Sequence, residues 1–152
     1  MELHEDPAHL AAFRRGDRQL LASLYRAHVD AVERLLRHGF TFTSQGKTVR
    51  FRGFDEPFRL QEAIQDGFMR AFREEARQAY DGQKPWRPYM LTIVRNQVID
   101  QFRKRQTEQR YFVSFSQAAP EAASEQEAIE HLRGDQPGGR SPGAGALPGE
   151  PQ

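Results

Sequence analysis

Apolar side chains recur three and four positions apart in three separate stretches of this chain, and none of the three could bury its apolar face alone. The first runs from about Arg18 to His38 through Leu21, Leu24, Tyr25, His28, Val32, Leu35 and Leu36. The second runs from Phe58 to about Tyr80 through Leu60, Ala63, Ile64, Phe68, Ala71, Phe72 and Ala79. The third starts between Trp86 and Pro88 and extends to about Arg110 through Leu91, Val94 or Arg95, Val98 and Phe102. Three helices of this length satisfy their apolar stripes by covering one another, so the pattern predicts an all-α fold, a small helical bundle. Its expected core contains Phe13, Leu21, Leu24, Tyr25, Leu35, Ile64, Phe68, Phe72, Ile93, Val94, Val98 and Phe102.

Punctuation residues set the boundaries. Asp6-Pro7 opens a short helix over 8–15, because aspartate accepts from free amides and proline suits the first helical position. Gly16-Asp17 breaks it and starts the next helix, and Gly39 stops that one. The period then changes: Phe40–Thr43 and Thr48–Arg52 flank Ser44-Gln45-Gly46-Lys47, which points to an inserted β-hairpin or other ordered loop within 40–57. Asp81-Gly82 interrupts the second stretch, and Pro85 and Pro88 confine the entry of the third. The expected organisation is an N-terminal extension at 1–7, one domain at 8–112, a linker with a short helix at 113–133, and a disordered Gly/Pro-rich tail at 134–152.

Composition excludes several classes. There is no cysteine, hence no disulfide and no thiolate chemistry. The acidic, polar start MELHEDPAHL is unlike a secretion signal, and no apolar run is long enough to insert in a bilayer, so a cytoplasmic protein is expected. Histidines 4, 9, 28, 38 and 131 are scattered without metal-ligand spacing, and the glycines form no phosphate-binding loop. Glu74-Glu75 occupy adjacent helical positions that do not converge. The sequence thus predicts no enzyme, no catalytic residues, no metal and no cofactor.

The net charge of +1 hides a local asymmetry. Residues 95–110 hold five basic side chains (Arg95, Arg103, Lys104, Arg105, Arg110) against Asp100 and Glu108, whereas 121–130 hold four glutamates and no basic residue. Within Lys84–Arg105, Trp86 and Tyr89 precede Arg95, Asn96 and the cluster Arg103-Lys104-Arg105. Aromatic rings stack on opened bases, asparagine reads base edges, and the cluster neutralises phosphates. On the residues alone the alternatives stay open: the two rings suit core packing, and a basic triplet suits a solvated helix end.

Three blocks in order resemble region 2 of bacterial sigma-70-type sigma factors, in particular the small extracytoplasmic-function class. They are Leu10-Ala-Ala-Phe-Arg-Arg-Gly-Asp17 followed by Leu24-Tyr25; Leu60-Gln-Glu-Ala-Ile-Gln-Asp-Gly-Phe-Met-Arg-Ala-Phe72; and Tyr89-Met-Leu-Thr-Ile-Val-Arg-Asn-Gln-Val-Ile-Asp-Gln-Phe-Arg-Lys-Arg105. The resemblance covers about residues 8–110 and implies the region 2 helical bundle. It also implies two partners, the coiled coil of the largest subunit of core RNA polymerase and the promoter −10 element, with an anti-sigma factor as a possible third. The polymerase-facing residues would be Glu62, Gln65, Asp66, Met69 and Arg70, with Phe68 holding the helix to the core. The DNA-facing residues would be Lys84, Trp86, Arg87, Tyr89, Thr92, Arg95, Asn96, Arg103, Lys104 and Arg105, with the loop over 76–85 beside them and Asn96 at the captured non-template base. Read without the resemblance, Glu62 and Asp66 form a solvated face related to Arg70 at helical spacing, and Asp100 pairs with Arg103 or Lys104.

Some features depart from that pattern. Tyr89 stands where the family has tryptophan, the excursion over 40–58 is longer than usual, and Pro88 restricts the helix entry. The residues after 131 lack the pattern of region 4, the helix-turn-helix domain that reads the −35 element, so region 2 without region 4 is expected, whether natural or through truncation or frame change. The competing function is a non-catalytic interaction module or truncated sigma fragment that docks on polymerase without initiating by itself.

Overall fold

The computed structural model describes residues 2–105 and 109–115. After a 3-10 turn at Leu3–Glu5 come α1 (Pro7–Arg14), α2 (Arg18–His38), β1 (Phe40–Ser44), β2 (Lys47–Phe51), α3 (Pro57–Ala71), α4 (Glu74–Ala79) and α5 (Trp86–Arg103). A second 3-10 turn, Gln109–Tyr111, leads into β3 (Phe112–Phe115). The tail expected at 134–152, and the expected linker beyond Phe115, lie outside the described residues.

The helix starts follow their capping residues. Asp6 accepts from the amides of Ala8 (2.9 Å) and His9 (3.3 Å), with Pro7 at the first helical position. Asp17 accepts from Leu20 N at 3.0 Å, and Glu56 accepts from Arg59 N at 2.6 Å. Each bond satisfies an amide that the first turn leaves without a partner. Gly39 ends α2 with φ +82, and a Cβ there would stand 2.0 Å from the Phe51 carbonyl oxygen, so only glycine lets the end of α2 lie so close to the end of β2.

α3 packs on both α2 and α5. Leu24, Val32, Leu36, Ile64, Phe68, Met90, Val94 and Val98 are buried in one continuous core. Tyr25 is not part of it: the ring is 37% exposed and lies against Phe68 at 4.7 Å. Leu21, Phe72 and Phe102 are only partly buried at its margin.

The expectation of an all-α fold is corrected by the sheet. The fold is mostly helical and carries a three-stranded antiparallel sheet in the order β1-β2-β3. The predicted hairpin is present, with Ser44 opposite Lys47 and left-handed Gln45 (φ 53) and Gly46 (φ 76) forming its two-residue turn. The third strand was not expected. Phe51 is paired with Phe112, and the Phe112 ring meets Phe42 (6.3 Å), Phe51 (5.3 Å) and Phe102 (4.9 Å). A two-stranded hairpin is marginal by itself, and β3 completes its apolar face against α5. The strand crosses the boundary drawn at 112 and continues to Phe115.

Two helix lengths are also corrected. The helix expected over 58–80 is divided into α3 and α4 at Phe72-Arg73, where Arg73 is extended (ψ 153) and the Arg77 guanidinium donates to the Phe72 carbonyl. The helix expected to reach Arg110 ends at Arg103, because left-handed Arg105 (φ 56) turns the chain back toward β2.

Candidate polymerase-docking and nucleic-acid surfaces

α3 buries Leu60, Ala63, Ile64, Gly67, Phe68 and Ala71, which leaves the opposite side of the helix outward. Glu62, Gln65 and Met69 are exposed there, and Asp66 and Arg70 are partly buried on the flank. The sequence reading missed Phe58, which is 72% exposed and stands seven residues before Gln65 and eleven before Met69, itself 65% exposed. Those intervals are close to two and three helical turns, so Phe58, Glu62, Gln65 and Met69 form one stripe with an apolar group at each end. Spacing alone would have revealed it.

The ion pairs differ from the helical-spacing reading. Glu62 pairs with Arg59 at 2.7 Å. Arg70 donates to Asp100 at 2.9 Å and so joins α3 to α5, in place of the expected bonds to Asp66 on one side and to Arg103 or Lys104 on the other. Both partners are about a third exposed, so this pair contributes modestly to stability, roughly 1 kcal/mol or less.

The ten residues expected at DNA, on α5 and just beyond its two ends, divide into groups. Trp86 is corrected outright: its ring is 1% exposed, in edge contact with Phe13 (5.7 Å) and His28 (5.2 Å) and stacked on Phe72 (5.9 Å). A ring enclosed on these sides has no face to offer a base, so it belongs to the core.

Arg87, Tyr89, Thr92 and Arg95 are held by the protein itself. Arg87 donates to His28 Nδ1 (2.9 Å) and to the Ala27 carbonyl (3.0 Å). The Tyr89 hydroxyl donates to the Ala76 carbonyl (2.7 Å), and that of Thr92 to the Pro88 carbonyl one turn back (3.0 Å). The Arg95 guanidinium lies over the Phe40 ring (5.5 Å) and reaches the Thr41 carbonyl (3.5 Å), tying α5 to the sheet.

The remaining residues face outward in varying degree. Lys84 and Asn96 are partly buried, and Arg103, Lys104 and Arg105 are exposed with no ion pair among the described residues. Thr92, Asn96 and Arg103 are separated by four and seven residues and lie along one line of α5, roughly 16 Å long at the helical rise. That line joins a group able to hydrogen-bond a base to a group able to neutralise phosphate.

Thus α3 carries an outward polar stripe with apolar ends, and α5, packed directly against it, carries an amide-to-basic line. The family model for Sigma-70 region 2 matches residues 24–108, a stretch that contains both helices. The chain belongs to the Sigma-70 region 2 family. No curated protein and no solved structure gave a match.

In sigma factors, Sigma-70 region 2 is non-catalytic and carries the binding of core RNA polymerase and promoter melting. The matched stretch includes the β1–β2 hairpin, while α1 and β3 lie on either side of it in the chain. No helix among the described residues is long and apolar enough to cross a membrane.

Proposed function

We propose that this chain is a transcription initiation factor module acting in the cytoplasm. Through the stripe on α3 it docks on the coiled coil of the largest subunit of core RNA polymerase. Through the loop before α5 and the outward line of α5 it recognises and melts the promoter −10 element. The reading is supported by one observation above the others: the Sigma-70 region 2 match spans two helices that pack on each other and keep different polar surfaces outward.

Gln65 and Asp66 supply hydrogen-bonding and charge at the docking face, with Met69 and Glu62 beside them. Asn96 and the basic cluster serve the opened strand, where bonds and stacking in a pocket offset the unstacking of a captured base. The docking surface is also the one an anti-sigma factor would have to cover to silence the module.

A Gln65→Ala/Asp66→Arg double variant tests this. The full chain should bind core polymerase, and the variant should bind at least about tenfold more weakly, because a reversed charge at an interface both loses a contact and adds repulsion. Absence of binding by the unaltered chain would sink the docking reading. Tight binding without opening of any −10 DNA would favour the docking module that does not initiate by itself.

A further inference from the structure

The segment between α4 and α5 is fastened by residues with no direct part in docking or base contact. Arg14, the last residue of α1, donates Nη2 to the Tyr80 carbonyl at 2.8 Å. Its own carbonyl accepts from Gln78 Nε2 (2.7 Å) and Arg77 Nε (3.4 Å) of α4, so one residue of α1 holds both the end of α4 and the start of the segment that follows it. The Tyr80 ring is buried against Phe13 (6.0 Å) and Tyr89 (5.3 Å), and its hydroxyl donates to the Lys84 carbonyl. Burial pushes that hydroxyl above the ordinary phenol range, which keeps it a donor at neutral pH.

Between the tied carbonyls of Tyr80 and Lys84 the chain makes one turn. Asp81 Oδ1 accepts from Gln83 N at 2.9 Å, and Gly82 is left-handed at φ +72. A Cβ on Gly82 would stand 2.6 Å from Leu10 Cδ2, so α1 also sets how closely the turn can sit. Asp81 and Gln83 remain exposed.

We propose that Arg14 and Tyr80 are positioning residues for promoter recognition: they hold the 81–85 turn in one conformation, so that α1 governs base discrimination without touching DNA. This rests on the promoter reading above. A turn with several conformations presents the competent one only part of the time, and its apparent affinity for the correct base falls by that fraction. Arg14 lies in α1, before the matched stretch 24–108, and Tyr80 within it, so the fastening joins the N-terminal helix to the matched domain.

The test uses the full chain, Tyr80→Phe (ring kept, hydroxyl lost) and Arg14→Ala. Amide hydrogen exchange at residues 81–84 reads the clamp in the free protein. Holoenzymes made with bacterial core RNA polymerase then select from a fork-junction DNA library randomised across the −10 positions. Exchange in the turn should rise about fivefold or more, as expected for loss of one net hydrogen bond, and enrichment of the preferred base should fall by a similar factor. Polymerase binding should stay within about twofold in both variants.

Unchanged exchange in both variants would overturn the clamp. Faster exchange with undiminished discrimination would overturn its role in recognition, and parallel loss of polymerase binding would make both residues merely structural. If the unaltered holoenzyme enriches no sequence while exchange still responds, the promoter reading itself has failed and the positioning role falls with it.

Discussion

His28 accepts from Arg87 in a buried setting, and this fixes its protonation state. Burial, and then the Arg87 charge, lower its pKa from 6.5 to about 4. Between those values the unfolded chain binds a proton that the folded one refuses, so the stability from neutral His28 is complete above pH 6.5 and drains as pH falls toward 4. From pH 7.5 to 5 the loss should be about 2 kcal/mol, and His28→Gln should remove that slope while other titrating groups shared by both proteins cancel. Denaturant unfolding at the two pH values measures it; parallel losses would exclude His28 as the source. The same residues mark where the sequence was legible. Spacing places His28 on the packed helix, whereas for Trp86 the residues alone leave core packing and base stacking both open and the resemblance puts it at DNA. An aromatic residue at a helix start reads alike whether its ring stacks on a base or on Phe72, and only the third dimension brings Phe13, Phe72 and His28 around it.

Among the elements, α3 packs tightly on α5 at Gly67, where an added Cβ would stand 2.9 Å from Val94 Cγ2. Alanine there would offset some of the crowding through its better helix propensity, by roughly 1 kcal/mol, but valine adds bulk that stiff Val94 cannot yield to. Gly67→Val should therefore destabilise the domain by about 2–3 kcal/mol in denaturant melts. A loss under about 0.5 kcal/mol would mean that the helices separate easily. Capping residues made these helix ends readable, since Asp6 and Asp17 at the starts and Gly39 at a stop act through local chemistry. The breaks after Ala71 and Arg103 were hidden for the opposite reason: neither Gly nor Pro marks them. The first is satisfied by Arg77 reaching the Phe72 carbonyl, the second by left-handed Arg105. β3 escaped notice because Phe112–Phe115 is too short to show a period, and it becomes a strand only by pairing with β2. The exposed stripe of α3 was legible apart from Phe58, and the Arg14–Tyr80 fastening was not, since it joins residues 66 positions apart.

Across the whole molecule, 22 basic and 21 acidic side chains nearly cancel, so function depends on how charge is sorted between surfaces. The Arg70–Asp100 bond contributes to that sorting, because it engages the acidic group one turn before the basic end of α5. Arg103, Lys104 and Arg105 are left exposed without an ion pair among the described residues. If they contact backbone phosphates, replacing all three with alanine should weaken holoenzyme binding to −10 DNA at low salt. It should also flatten the slope of log affinity against log salt by about 2–3, since each phosphate contact contributes roughly 0.7–0.9. Polymerase binding should be untouched, because the cluster lies at the end of α5 and the stripe proposed for docking is on α3. Titration of the two holoenzymes against one DNA probe over a range of potassium chloride concentrations measures both quantities. Weaker binding with the full salt slope would place the loss in folding or base contacts rather than phosphates. An unchanged affinity would leave the triplet as a solvated helix end, the plain reading its sequence also allows.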